Sequence, residues 1–184
     1  MSKGTTSYRI KDENAPYYLT CATVNWINAF ATQKCKEVFV DSLEFCIKNK
    51  GLRVFGWVLM DNHFHMIAMA KDGYQLSGII RDFKKHVTKE LIKVFTENNV
   101  NQNMAMIEEM LNAGMQNSKK QIHQLWQNDN RPIYMYKSET INQKLKYIHY
   151  NPVKAGIVQY PEEYEYSSAR NYAGLDGLIE IEFV

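Results

Sequence analysis

The sequence predicts an α+β fold, a ferredoxin-like βαββαβ antiparallel sheet with helices on one face, followed by a C-terminal helix that carries a tyrosine. Two observations support this prediction. Four segments are rich in β-forming residues, and three others carry apolar residues at helical spacing. Their order along the chain is strand, helix, strand, strand, helix, strand, helix. Because the helices of such a sheet cover one face, the other face is free to build a site.

The first strand and helix follow a polar start. Residues 1–15 are polar and are expected to form an arm. Residues 17–26 (YYLTCATVNW) are rich in β-forming side chains and predict the first strand. Residues 33–50 carry apolar side chains at close to helical spacing, and Gly51 is a suitable C′ residue to end that helix.

A β-hairpin is predicted next. Residues 52–60 have the composition of a second strand, and residues 63–70 that of its partner. Asp61 and Asn62 between them suit a tight turn. The hairpin therefore brings residues 63–70 into the sheet beside residues 52–60.

The second predicted helix, residues 74–95, has one apolar and one basic face. Its cationic side chains could neutralise the phosphates of a DNA strand. The alternative is an ordinary solvated face, since Asp82 and Glu90 interrupt the basic run. The cationic candidates for DNA binding on this helix are Arg81, Lys84, Lys85 and Lys89.

The remaining elements complete the order. Residues 97–120 are rich in Asn, Gln and Met and are interpreted as an insertion, with a short helical pattern over residues 104–110. Residues 132–137 predict the fourth strand, and Ser138 is a good N-cap for the last helix. Residues 157–184 are expected to form an extended tail.

Length and composition limit the possible classes of protein. A chain of 184 residues is expected to form one domain over residues 1–184 with a substantial core. The hydrophobic share of 45% and charged share of 23% are typical of globular proteins, and a net charge of +2 allows nucleic-acid binding without requiring it. No apolar run reaches the length of a membrane span. The scattered Cys21, Cys35 and Cys46 indicate neither a disulfide framework nor a zinc knuckle, so a cytoplasmic location is expected.

His63 and His65 are the first candidates for chemistry. Side chains in a strand alternate between faces, so both imidazoles point the same way and Phe64 points the other way. Two neutral imidazoles on one face can chelate a divalent ion. An isolated His-x-His pair is nevertheless more often a pair of packing residues without a metal.

A second run, residues 146–156 (KYIHYNPVKAG), changes that balance. Tyr147 and Asn151 are four residues apart and share a helix face, where Asn151 can give an oxygen ligand and Tyr147 can lie beside the metal. The alternative is a half-buried core tyrosine and a turn residue before proline. Pro152 should bend or stop the helix, which Gly156 then ends.

The donor set indicates the type of metal. Two histidines, an amide oxygen and water suit Mg²⁺ or Mn²⁺ better than a structural zinc site, which prefers Cys and His. Such an ion polarises a phosphoryl oxygen. A phenol has a pKa of about 10 and is a poor nucleophile without such activation, but it forms a covalent intermediate when it attacks.

Taken in order, these segments resemble the single-tyrosine HUH transposases of the IS200/IS605 type, and within them the REP-associated tyrosine transposases. The resemblance extends from about Tyr17 to Gly174 and is weakest over residues 97–120. It is carried by residues 56–65 (GWVLMDNHFH), 76–85 (LSGIIRDFKK), 145–158 (LKYIHYNPVKAGIV) and 161–172 (PEEYEYSSARNY).

The resemblance implies roles for individual residues. His63 and His65 would be metal ligands, Asn151 the third ligand and Tyr147 the nucleophile. The substrate would be single-stranded DNA at hairpin-forming repeats, cleaved with covalent attachment of the 5′-phosphate to tyrosine and release of a 3′-hydroxyl. Lys154 is a further candidate for phosphate binding, and both a monomer and a homodimer with shared active sites stay open.

Several alternatives stay open at the level of sequence. Tyr150 is a rival nucleophile, and His149, nearly opposite Tyr147 on a helix, is interpreted as a surface or packing residue. A catalytically inactive module that binds single-stranded nucleic acid would fit the same fold. A phosphoesterase that uses water would also fit, and it would retain activity after Tyr147→Phe.

Overall fold

A four-stranded antiparallel sheet forms the centre of the computed structural model, which describes residues 10–97, 101–117, 122–128 and 132–184. The strand order is β2-β3-β1-β4, as the predicted βαββαβ arrangement requires. The strands are β1 (Tyr17–Ala22), β2 (Leu52–Leu59), β3 (His63–Ala70) and β4 (Ile133–Tyr134).

Five α-helices and two short 3₁₀ turns complete the described part of the chain. None of these helices is long and apolar enough to cross a membrane. The helices are α1 (Gln33–Asn49), α2 (Leu76–Glu97), α3 (Asn101–Gln116), α4 (Ser138–Lys154) and α5 (Ala169–Tyr172), and the 3₁₀ turns are Val24–Trp26 and Pro161–Glu163.

The two faces of the sheet are covered by different helices. On one face, α1 and α2 pack their buried side chains, among them Phe39 and Phe83, against Phe64 of β3 and its neighbours. On the other face, Leu145 and Ile148 of α4 form a smaller apolar cluster with the sheet. The predicted packing of α1 and α2 on one face is confirmed, and the last predicted helix, α4, covers part of the other face.

Several helix boundaries differ from the predictions. Gly51, with φ +68°, follows α1 as expected of a helix-ending glycine. Ser138 is the first residue of α4 and not its N-cap, which is Lys137 without a side-chain hydrogen bond. The prediction that Gly156 ends the last helix is confirmed, whereas Pro152 does not stop it. Helix α4 continues to Lys154, and the chain turns at Gly156 (φ +71°), because proline removes one donor while the Ala155 N–H still reaches the Asn151 carbonyl at 3.1 Å.

The tail, residues 157–184, is not simply extended. It contains the second 3₁₀ turn and α5, and it hydrogen-bonds along β2, an edge strand of the sheet. The Ser168 N–H donates to the Trp57 carbonyl at 2.9 Å, and the Glu182 N–H donates to the Val54 carbonyl at 2.8 Å. A lone edge strand exposes unpaired backbone groups, and the tail satisfies some of them. Such irregular pairing leaves no periodic pattern in the sequence.

The predicted insertion, residues 97–120, is largely helical. Helix α3 extends well beyond the predicted 104–110 segment, and Met110 anchors it in the larger core. Part of this insertion, and residues 1–9 of the predicted N-terminal arm, lie outside the described residues. Trp126, which follows the insertion, is buried in the core against Phe64.

Two glycines provide a matched test of this packing. A Cβ at Gly56 would overlap the buried Leu145 side chain, whereas at Gly78, inside α2, the nearest described neighbour would lie 3.8 Å away. We expect Gly56→Ala to lower the free energy of unfolding by about 1–3 kcal/mol through overpacking. Gly78→Ala should raise it by about 0.5–1 kcal/mol through helix propensity. Urea denaturation measures both, and equal effects from the two variants would contradict the described packing of α4.

His149 predicts how stability depends on pH. Its Nε2 lies 2.9 Å from the Ser168 hydroxyl under the tail, and burial lowers its pKa to about 4 from the ordinary 6.5. Below about pH 6.5 the unfolded chain therefore binds a proton that the folded chain does not bind until about pH 4. This contribution to stability is complete above pH 6.5 and is lost as the pH falls, at about 1–2 kcal/mol in total for a partly exposed group.

The measurement is urea denaturation between pH 4 and pH 7.5. His149→Gln, which keeps a hydrogen-bond donor, should flatten the pH dependence of the free energy of unfolding. His86→Gln, at an exposed histidine, is the control and should leave the slope as in the wild type. An unchanged slope in His149→Gln would contradict the lowered pKa of His149 in the folded protein.

Candidate active site

The site is built on β3, which lies inside the sheet between β2 and β1. Phe64 points into the core shared with α1 and α2, so His63 and His65 point to the face covered by α4. Thr20 of β1 lies directly opposite His65, and Ala22 lies opposite His63. The predicted orientation of the two imidazoles is the one the structure describes.

Two hydroxyls orient His65, which is only 5% exposed. Its Nδ1 lies 2.9 Å from the Tyr18 hydroxyl and 3.0 Å from the Thr20 hydroxyl. A ring nitrogen that is hydrogen-bonded in this way fixes the ring, and it leaves Nε2 as the nitrogen available to a ligand when Nδ1 carries the proton.

His63 is oriented by the hairpin turn. Its Nδ1 lies 2.8 Å from Oδ1 of Asn62, and the Asn62 amide donates to Asn28 Oδ1 at 3.2 Å. Since the amide nitrogen of Asn62 is engaged with Asn28, its oxygen is the atom that accepts from His63. The His63 and His65 rings lie 5.0 Å apart between centroids.

Both imidazoles are held neutral. Burial lowers the pKa of His65 to about 3, and repulsion from His63 and Lys144 adds to this shift. Burial also lowers the pKa of His63, although a hydrogen bond to the Asn151 side chain opposes the shift. Neutral imidazole is the form that can bind metal ions, so both rings are in the protonation state that a metal site requires.

Helix α4 adds the tyrosine and the amide. The Tyr147 ring lies edge-on to the His65 ring with 5.3 Å between centroids, and 41% of Tyr147 remains exposed to solvent. Asn151, one helical turn later, is hydrogen-bonded to His63. The four predicted site residues, distant in sequence, therefore meet on one face of the sheet.

The donor set fits a divalent ion with some positions left to water or substrate oxygen. It comprises two imidazole nitrogens and one amide oxygen, a combination suited to Mg²⁺ or Mn²⁺. Across the residues that the structure describes, no three or more His, Cys, Asp or Glu side chains form a group that could hold a metal.

The neighbours of Tyr147 on α4 face elsewhere. The Tyr150 ring lies 5.9 Å from Lys146 Nζ, and it is as exposed as Tyr147. His149 packs against Tyr172 and Ser168 beneath the tail, which agrees with its interpretation as a packing residue.

Two lysines lie beside the Tyr147 ring. Lys154 Nζ is 5.0 Å from the ring centroid, which places this predicted phosphate-binding residue at the site. Lys144 Nζ is 5.9 Å from the same centroid and 4.6 Å from that of Tyr18. The sequence analysis missed Lys144, although its position three residues before Tyr147 puts it on the same helix face.

The basic side chains of α2 are not brought to this site. Helix α2 packs on the face of the sheet opposite the histidines. Arg81 pairs with Asp82 at 2.8 Å, and Lys84 lies partly buried with Nζ 5.7 Å from the Trp126 ring, where burial lowers the pKa of its ammonium. Lys85 and Lys89 are exposed on that far layer.

Tyr18 and Thr20 are the other residues that the sequence analysis missed. They belong to the predicted first strand, two positions apart, and so share a face. That spacing is a weak signal by itself. Only the pairing of β1 with β3 shows that both hydroxyls meet His65.

Known proteins resemble this chain in sequence and in fold. The IS200-like transposase family matches residues 14–151. A solved REP-associated tyrosine transposase bound to a REP hairpin has a TM-score of 0.61 at 18% identity, over 99% of this chain and 92% of that one. A putative transposase from Deinococcus radiodurans R1 has a TM-score of 0.44 at 16% identity, over 80% of this chain and 95% of that one. No curated protein is significantly similar in sequence.

The structural likeness to the REP-associated transposase confirms the predicted fold class. The sequence match is decisive for the family because it covers most of the chain, including both histidines, Tyr147 and Asn151. The chain is therefore a member of the IS200-like transposase family.

Proposed function

We propose that the protein is a metal-dependent endonuclease and strand transferase that cleaves single-stranded DNA through a covalent 5′-phosphotyrosine. The observation that carries the proposal is the packing of Tyr147 against His65, with Asn151 hydrogen-bonded to His63. A nucleophile, two neutral imidazoles and an amide oxygen thus share one partly open surface. This is the set of groups that tyrosine attack on a phosphodiester needs.

His63, His65 and Asn151 would hold Mg²⁺ or Mn²⁺. When bound, such an ion polarises a phosphoryl oxygen and orients the phosphate for in-line attack. The pKa values of both histidines, lowered by burial, support this role, because the imidazoles need not lose a proton at neutral pH before they bind.

The reaction exchanges one phosphate ester for another. The Tyr147 oxygen forms a bond to phosphorus, the bond from phosphorus to the 3′ oxygen breaks, and the phenolic proton is balanced by the proton that the 3′-hydroxyl gains. Attack by another 3′-hydroxyl reverses the step and joins strands. Because the covalent link keeps the energy of the phosphodiester, strand transfer needs no further cofactor.

Lys154 and Lys144 would support this chemistry electrostatically. Both ammonium groups lie near the Tyr147 ring, where negative charge develops on the phenolic oxygen and the phosphate. Fixed cationic groups at such a position stabilise the transition state more than they stabilise the neutral phenol.

The proposed substrate is single-stranded DNA next to a hairpin. The fold is shared with a REP-associated tyrosine transposase that was bound to a REP hairpin, which supports this choice. Lys154 would contact DNA at the site. Arg81, Lys84, Lys85 and Lys89 could contact only flanking DNA, because α2 lies on the other side of the sheet. The protein could act as a monomer or a homodimer.

Tyrosine replacement tests the mechanism. The protein is incubated with 3′-labelled single strands from the flanks of its own gene and Mn²⁺ or Mg²⁺, and the products are separated on a denaturing gel. We expect a labelled band at protein mass that is lost with chelator and falls at least 1,000-fold in Tyr147→Phe, since only the phenol oxygen can form the link. Tyr150→Phe is the matched control and should retain the band.

Two other outcomes would lead to different conclusions. Cleavage without a protein-linked band, unchanged in Tyr147→Phe, would show hydrolysis by water. Binding of hairpin DNA without cleavage of any flanking sequence would favour a catalytically inactive module that binds single-stranded nucleic acid.

The hydroxyls around His65 give a second prediction. Tyr18→Phe combined with Thr20→Val removes both partners of Nδ1 while keeping side-chain volume. We expect Mn²⁺ affinity, measured by electron paramagnetic resonance, to fall roughly 10- to 100-fold, as for other outer partners of metal-bound histidines. His65→Ala should remove binding at this site, and Thr88→Val on α2 should leave it unchanged. Unaltered Mn²⁺ affinity in the double variant would mean that these hydroxyls do not position the ligand.

A further inference from the structure

Trp26 has an unusual position beside the site. It is 56% exposed, whereas Trp57 and Trp126 are buried. Asn25 and Trp26 both have left-handed backbone conformations, with φ of +48° and +56°. Two consecutive non-glycine residues in this region are strained, and such strain tends to persist where it serves a function.

Buried contacts hold this strained turn in place. The buried Thr23 hydroxyl lies 2.8 Å from the Ile27 carbonyl and 2.9 Å from the Asn62 carbonyl, which fixes both ends of the turn. Asn62 is also the residue that orients His63. The Trp26 ring lies edge-on to the His63 ring with 6.0 Å between centroids, so the indole is next to a candidate metal ligand.

A polar groove opens from Trp26 away from the histidines. It has a volume of about 580 Å³ and runs between the 3₁₀ turn at Val24–Trp26, helix α3 and residues 124–128. Its buried base is formed by Asn117 and Gln124, each 8% exposed and joined by an amide–amide hydrogen bond of 2.5 Å. Exposed amides line it above, on α3 at Asn112 and Gln116.

The chemistry of this groove suits a nucleobase more than a phosphate. Amide side chains offer a donor and an acceptor together, as the edges of bases require. Of the described residues that line the groove, only Glu109 is charged, and a carboxylate repels phosphate. Glu109 also accepts a hydrogen bond from the Asn25 amide at 2.6 Å, which ties α3 to the strained turn.

We propose that Trp26 and the amide-lined groove form a base-binding site for an unpaired nucleotide of the DNA strand close to the scissile phosphate. The indole stacks on the base, and the amides of Asn112 and Gln116 contact its edge. This inference rests on the proposed function, since the same strand has to reach Tyr147. It predicts that α3 and the Val24–Trp26 turn determine which base is preferred near the cleavage point. The basic face of α2 would not contribute to that preference.

Indole fluorescence tests the stacking directly. Trp26 is the exposed indole among the three, and stacking on a base quenches its emission. The experiment uses the full chain with Tyr147→Phe, which prevents cleavage, and a single-stranded oligonucleotide that the wild type cleaves. We expect quenching on binding, and a roughly tenfold loss of affinity in Trp26→Ala, the usual size for one stacked base. Trp26→Phe should retain most of the affinity.

Control variants separate stacking from folding. Trp26→Gly removes the side chain and relieves the left-handed strain, so its thermal midpoint should not fall while its affinity falls as in Trp26→Ala. Tyr74→Ala removes an exposed aromatic ring at the far end of the sheet and should leave DNA affinity unchanged.

Abasic scanning locates the base. Each oligonucleotide in the series lacks the base at one position. Loss of one base near the cleavage point should weaken binding to protein that has Trp26. The same loss should cause no further decrease in the affinity of Trp26→Ala. Asn112→Ala with Gln116→Ala should reduce discrimination among bases at that position. The base site is refuted if the wild type cleaves the DNA through Tyr147 but three results are negative. These are no change in indole emission on binding, no loss of affinity in Trp26→Ala, and no effect of any abasic position on binding. If the wild type neither binds nor cleaves any single strand, the proposed function fails, and the base site fails with it.

Discussion

The packing of α4 on the histidine-bearing face of the sheet is the constraint on which the site depends. Leu145 and Ile148 are buried against the sheet, and these two contacts fix the rotation of the helix about its axis. This rotation also sets the direction of the Tyr147 and Asn151 side chains, because residues at helical spacing share a face. The Tyr147 ring therefore meets His65, and the Asn151 amide meets His63, as a consequence of apolar packing on the same helix.

Burying two imidazoles next to each other is unfavourable for their charged forms, and the structure compensates with neutral partners. Hydroxyls of Tyr18 and Thr20 meet His65, and the Asn62 amide oxygen meets His63. A carboxylate in any of these places would raise the pKa values of the histidines and favour imidazolium, which cannot bind a metal. The absence of charge on these partners is thus part of how the site is prepared.

The parts of this architecture that depend on local patterns could be predicted from the sequence. The hairpin of β2 and β3, the shared direction of His63 and His65, and the helix that carries Tyr147 all follow from periods of 2.0 and 3.6 residues. The roles of Tyr18 and Thr20 could not, because they depend on the register between β1 and β3. Pro152 does not stop α4, since proline removes only one donor, and the chain leaves the helix at Gly156 as predicted. The remote position of the basic face of α2 was already implicit in the predicted topology, which puts α1 and α2 on the face away from the histidines.

The larger core and the candidate site lie on opposite faces of the sheet, and the tail connects the two faces. The larger core lies with α1 and α2, whereas the cluster beneath the site contains far fewer buried side chains. A small cluster alone would hold α4 weakly, because the free energy from burial grows with apolar area. The tail adds to it: the Tyr164 hydroxyl donates to the Leu59 carbonyl at 2.8 Å, and the Ser168 backbone pairs with β2 beside α4. The tail thereby extends the cover over this face and supports the helix that carries Tyr147.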